Sequence, residues 1–183
     1  PALNAILAQV QAPMVIVRVA EGADDASTTQ NVIAGIDKLR SAQTQLGVTP
    51  RILGIPYLDS QTVTDALLTV AAELNGFVYA SCGSAAARDD AVSYRANFGQ
   101  RELMLLWPNF VNGVKEVSAV ACALGLRAKL DREQGFHKSL SNTLVNGVTG
   151  TSVDVSYALT KHTTDAAHLN NHEVSTLIRD QGF

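Results

Sequence analysis

The sequence predicts an α/β fold with a mainly parallel sheet flanked by helices, and a mixed or antiparallel C-terminal part. Three observations carry this. Short apolar runs alternate with amphipathic stretches four times between residues 14 and 107. The connections are short, and Gly or Pro punctuates most of them. From residue 113 onward that rhythm breaks into a long helix and then polar, irregular sequence. Alternating strand and helix with short loops is the pattern of a parallel sheet with crossovers.

The elements follow in order. Leu3, Ile6, Leu7 and Val10 recur at helical spacing and predict a helix over 3–10. Met14-Val15-Ile16-Val17-Arg18-Val19 reads as a strand buried on both faces. Ser27 and Gln30 have the spacing of a capping box, opening a helix that runs to Leu46 and stops at Gly47. Val32, Ile33, Ile36, Leu39 and Leu46 form its stripe. A second strand spans Arg51–Ile55 and is closed by Pro56. Asp59 or Ser60 caps the next helix, with Val63, Ala66, Leu67, Val70 and Leu74 facing inward and Gly76 at its end. Phe77–Ala80 is a third strand, and a helix marked by Ala87, Ala91, Tyr94 and Phe98 follows the Ser81-Cys82-Gly83-Ser84 loop. Glu102–Trp107 is a fourth strand. Val114–Glu133 predicts a long helix with small residues on its slim faces, ended by Gly135. Ser139–Thr151 reads as an extended polar segment, 153–159 as a half-solvated strand, Asp165–Val174 as a short helix and Ser175–Arg179 as a final strand.

Composition narrows the function. The 183 residues are 46% hydrophobic and 17% charged, which suits one globular domain, 1–183, made of the repeated units (1–112) and the helix with its mixed segment (113–183). A net charge of −3 without a basic run argues against nucleic acid as the main partner. No apolar run reaches the ~18 residues of a membrane span. Cys82 and Cys122 sit among small and apolar residues and read as reduced, buried thiols.

The search for chemistry returns little. No phosphate loop is present. Where a dinucleotide fold needs its Gly-rich turn, the chain has Glu21-Gly22-Ala23-Asp24-Asp25, whose carboxylates would repel a phosphate, so no cofactor is expected. Cys82 or Ser84, at a strand's C-terminal end before a helix, could serve a small hydrolase-like enzyme as nucleophile, with His137 the only His outside the C-terminal cluster. The simpler reading is a tight turn with Ser84 capping the helix. His162, Asp165, His168 and His172 place three possible metal ligands on one helical face, but no further ligand or supporting group can be named. Asp24-Asp25 and Asp89-Asp90 read as solvated charges. No catalytic, cofactor-binding or metal residue is therefore assigned.

The residue order carries a further signal. Asn97–Pro108 (NFGQRELMLLWP), Gly125–Asn142 (GLRAKLDREQGFHKSLSN), Val145–Gly150 (VNGVTG) and Thr176–Arg179 (TLIR) together resemble the contractile-tail sheath proteins of P2-like phages. Phe136 stands where that family has Trp. The resemblance implies a structural subunit that polymerises around a tail tube and contracts to drive it through a host envelope, without catalysis. It implies other sheath subunits, the tube protein, the baseplate and the tail terminator as partners, and a place in the virion tail of a phage, prophage or tail-like particle assembled in the bacterial cytoplasm. Strand addition through terminal arms would join the subunits. The chain starts at Pro1 without Met and reads as a fragment lacking those arms, so it is expected to be monomeric.

Overall fold

A computed structural model describes residues 1–179. Its main sheet contains β1 (Ile52–Gly54), β2 (Phe77–Ser81), β3 (Leu103–Leu106) and β7 (Val174–Ser175), all parallel, in the order β1-β2-β3-β7. The parallel, helix-flanked sheet expected from the alternation is present. Its strands are apolar on both faces because both faces are covered. Leu53, Val78, Ala80, Leu103 and Leu105 point into one core, shared with α2 (Asp25–Asp37), α4 (Gln61–Leu74) and α5 (Arg88–Arg95). Ile52, Phe77, Tyr79, Met104 and Leu106 point to the other, against α1 (Ala2–Gln9) and α6 (Ala119–Glu133).

Several elements depart from the sequence reading. The 14–19 run forms no ladder with the sheet. Its apolar character is real, but nothing among the described residues pairs with its backbone. The capping box at the start of α2 is made by Asp24 and Ser27, not Ser27 and Gln30. The Asp24 carboxylate accepts from the Ser27 amide at 2.7 Å, and the Asp24 amide donates to Ser27 Oγ at 3.1 Å. The helix to Leu46 is also not continuous. It passes through a 3-10 turn at Lys38–Ser41 into α3 (Ala42–Leu46), so Leu46 leaves the buried stripe and is 62% exposed. Gly47, at φ +72°, is the left-handed stop expected there. Ser60 caps α4, whose left-handed end is Asn75, one residue before the expected Gly76.

Residues 110–117 are the largest correction. They form an antiparallel hairpin of β4 (Phe110–Asn112) and β5 (Lys115–Val117) where a helix start was expected from Val114. Gly113, at φ +61°, supplies the turn, and Val114 at the tip is fully exposed. Asn112 pairs with Lys115, so Gly113-Val114 is the two-residue loop, and Gly at its first position is the hairpin signal that overrides the apolar spacing. β6 (Gly150–Thr151) pairs with the other side of β4, completing a small antiparallel sheet in the order β5-β4-β6. The mixed C-terminal character therefore comes from strand pairing back across the chain. No strand forms at 153–159. Instead Ser156 is tied to α7 (Asp165–Asn171), and Val155 packs on the core. The final strand is shorter than expected, at Val174–Ser175.

Helix α6 starts at Ala119 because Ser118 caps it, its Oγ accepting from the Ala121 amide. Ala119, Ala121, Ala123 and Gly125 keep it slim, and α1 lies close against it. A Cβ at Gly125 would come within 2.6 Å of the Ile6 carbonyl oxygen. The expected stripe of α1 is met in half: Ile6 and Val10 turn inward, joined by Ala5 and Gln9, while Leu3 and Leu7 are 47% and 46% exposed.

Candidate assembly surface

The residues singled out for chemistry are not assembled into a reactive site. Cys82 is buried at the end of β2, and its amide donates to the Leu106 carbonyl. Burial pushes its thiol up to about 12, with Asp59 adding to the shift and Arg95 opposing it. A thiol held that far from ionisation is a poor nucleophile. Cys122 is likewise pushed up by burial, to about 11. Ser84 is exposed in its turn and does not cap α5. That helix begins four residues later, where the Asp90 carboxylate accepts from the Ala87 amide. His137 lies beyond α6, in the turn after Gly135, and bonds to neither Cys82 nor Ser84.

The histidine cluster is held by ion pairs. Arg88 on α5 reaches Asp165 at 2.8 Å, and Ser156 Oγ donates to the same carboxylate at 2.6 Å. Asp165 is thereby held below the usual carboxylate range, chiefly by Ser156. The rings of His168 and His172 stack at 4.5 Å, and His168 Nε2 lies 3.7 Å from Asp89. Asp165 thus turns toward Arg88 rather than joining the two imidazoles. Among the described residues no three of His, Cys, Asp and Glu converge in a way that could hold a metal. Arg95, whose side chain is only 13% exposed, adds a second tie across the same boundary. It donates to the Phe98 carbonyl at 2.6 Å and pairs with Glu173 at 2.5 Å. These contacts fasten α5 to α7 and so fix β7 beside β3.

What the fold leaves open is apolar surface. On the α6 face of the main sheet, beyond the helix, an open groove of about 1130 Å³ runs over Phe77, Tyr79, Met104 and Leu106. Phe136 and Leu159, 88% and 83% exposed, stand along it. Arg127 shapes one wall. It pairs with Asp131 at 2.6 Å and donates to the carbonyls of Gly135 and Lys138, fixing the turn that carries Phe136. Near the end of α6, Glu133 lies 3.6 Å from Arg132. The groove was not legible from motifs, because it arises from elements far apart in the chain, whereas the exposed hairpin tip is a local turn at Gly113. Among the described residues no helix is long and apolar enough to cross a membrane.

The candidate nucleophiles, buried Cys82 and exposed Ser84, both lie outside that groove, and no reactive site is assembled around either. The comparisons with known proteins agree. The family model for the phage tail sheath protein central domain matches residues 21–183. The chain belongs to the phage tail sheath family. It is 43% identical over 199 residues to the major tail sheath protein of Serratia phage KSP20, and 42% identical over 202 residues to the tail sheath protein of Escherichia phage P2. In both cases the match takes in 99% of this chain and 51% of the relative. A prophage major tail sheath protein of Pseudomonas aeruginosa is 32% identical over 156 residues, 81% of this chain and 40% of that protein. The sheath-family chain therefore spans about half the length of the curated relatives it matches. The four sequence segments that carried the resemblance lie in β3, in α6 and its turn, beside β6, and just after β7. They include core strand and helix but also exposed turns, such as the one that carries Phe136.

Proposed function

We propose that this chain is the core domain of a contractile tail-sheath subunit, acting structurally and without catalysis. Subunits stack around a tail tube, and a change in their packing shortens the sheath and drives the tube through a host envelope. The observation that carries this is the match to named sheath proteins along essentially the whole chain. The partners are other sheath subunits, the tube protein, and the baseplate and terminator at the two ends, in the tail of a phage, prophage or tail-like particle.

The physics needs no nucleotide. Contacts that do not close on themselves build helical assemblies. A small free-energy difference per subunit between two packings, summed over many subunits, supplies the work. The buried Cys82 thiol and the isolated Ser84 support a role without nucleophilic chemistry. Residues 1–183 alone stay monomeric, which sedimentation measures directly.

Electron microscopy of the full-length protein expressed with its tube protein tests the reading. Sheathed tubes, in long and shortened forms, are expected. A full-length protein that folds and binds no tube would overturn it.

A further inference from the structure

The stretch that the sequence marks as a strand and the fold leaves unpaired connects α1, packed on α6, with α2, packed on α4. Its exposure alternates as in a strand. Val15, Val17 and Val19 are half-buried, while Met14, Ile16, Arg18 and Ala20 are exposed. The inward side is seated firmly, since Val19 fills the notch at Gly35 of α2, where a Cβ would lie 2.4 Å from its Cγ1. Both ends are pinned by side chains. Arg132 donates to the Gln11 carbonyl at 3.2 Å, and Asn31 donates to the Ala20 carbonyl at 3.0 Å. Between those pins, residues 12–19 make no main-chain hydrogen bond to any described residue.

An extended, apolar, nearly uncharged edge with all its amides and carbonyls free is what folded proteins ordinarily cover, because it templates further pairing. Its outward face is also bare, with Ile16 63% and Met14 39% exposed. The occupant must therefore bring a lateral strand and a layer over that face. That calls for a substantial body of chain rather than a short peptide. The Serratia and Escherichia phage relatives carry about as much chain again outside the matched half.

We propose that residues 13–19 are a strand whose lateral partner is a β-strand from that other half of the sheath subunit, supplied within the same molecule. The inference rests on the sheath reading above.

The test is amide exchange on a full-length subunit containing this chain, measured both as dissociated monomer and as assembled sheath. The alternate amides of residues 14–19 that face the partner strand are expected to be protected in the monomer by roughly two orders of magnitude over an unstructured peptide. A photo-reactive cross-linker attached at Ile16→Cys is expected to mark a peptide outside residues 1–183. Protection only after assembly would assign the strand to a second copy and overturn the inference. So would free exchange in both states, or a cross-link that falls within 1–183. Tube formation by the same protein reports separately on the sheath reading, so tubes with an unprotected 14–19 segment would overturn this inference alone.

Discussion

Gln9 and Asn146, 137 positions apart, hold each other through paired hydrogen bonds. Gln9 Nε2 donates to the Asn146 carbonyl at 2.7 Å, and the Asn146 amide donates to Gln9 Oε1 at 2.9 Å. Gln9 is only 6% exposed, so its amide head mimics a strand partner for a loop that has none. Gln9→Leu would strand a buried donor and acceptor on the loop. It is expected to cost about 1–3 kcal/mol, read as a lower midpoint in urea unfolding with an unchanged slope. Gln9→Glu keeps only half of the pairing and should fall between the two.

The contact between Gly125 and Ile6 is sterically stringent. Gly125→Ala would place a methyl 2.6 Å from the Ile6 carbonyl oxygen and 3.0 Å from Gln9 Cβ, forcing α1 away from α6. A loss of about 1–3 kcal/mol is expected, as for overpacking elsewhere. Gly99→Ala is the control. Nothing lies within 4 Å of a Cβ there, so its thermal midpoint should match the parent or exceed it slightly.

Both thiols should be silent in the native state. Burial raises Cys82 to about 12 and Cys122 to about 11, so at pH 8 a soluble disulfide reagent is expected to titrate neither within minutes. Two equivalents should react at once in denaturant. Rapid native labelling of Cys82 would revive a nucleophilic role for that turn.

Asp165 should confer pH-dependent stability. Its carboxyl is held below the ordinary value of 3.8 by Ser156 and Arg88, so the folded state favours the charged form. The contribution is fully present above that value and is lost as pH falls below it through the folded pKa. Asp165→Asn is therefore expected to be less stable than the parent at pH 7, and the gap should close on acidification toward pH 2. Because the carboxyl is partly exposed, added salt should narrow the gap at neutral pH as well. A gap that widened in acid would contradict this account.

The sequence by itself determined the repeating layer of the fold and its family. The apolar runs at 52–54, 77–81 and 103–106 alternate with helices whose stripes, caps and stops are local, and such features are readable wherever neighbours in sequence are neighbours in space. The family order was legible because it is carried by contiguous runs of sequence, in β3, in α6 and in the turns that follow. Tertiary structure alone decided the rest. It paired β6 with β4, and set Ala5 and Gln9 beside Ile6 on the inward face of α1, where Gly125 lets the two helices approach closely. It also placed Asp165 on Arg88 rather than with the histidines, and opened the groove over Tyr79 and Leu106. Each of these depends on which distant elements meet. The strand at 14–19 shows the boundary most clearly: its side-chain alternation is written in the sequence, but whether its backbone is paired depends on a partner that sequence position does not name.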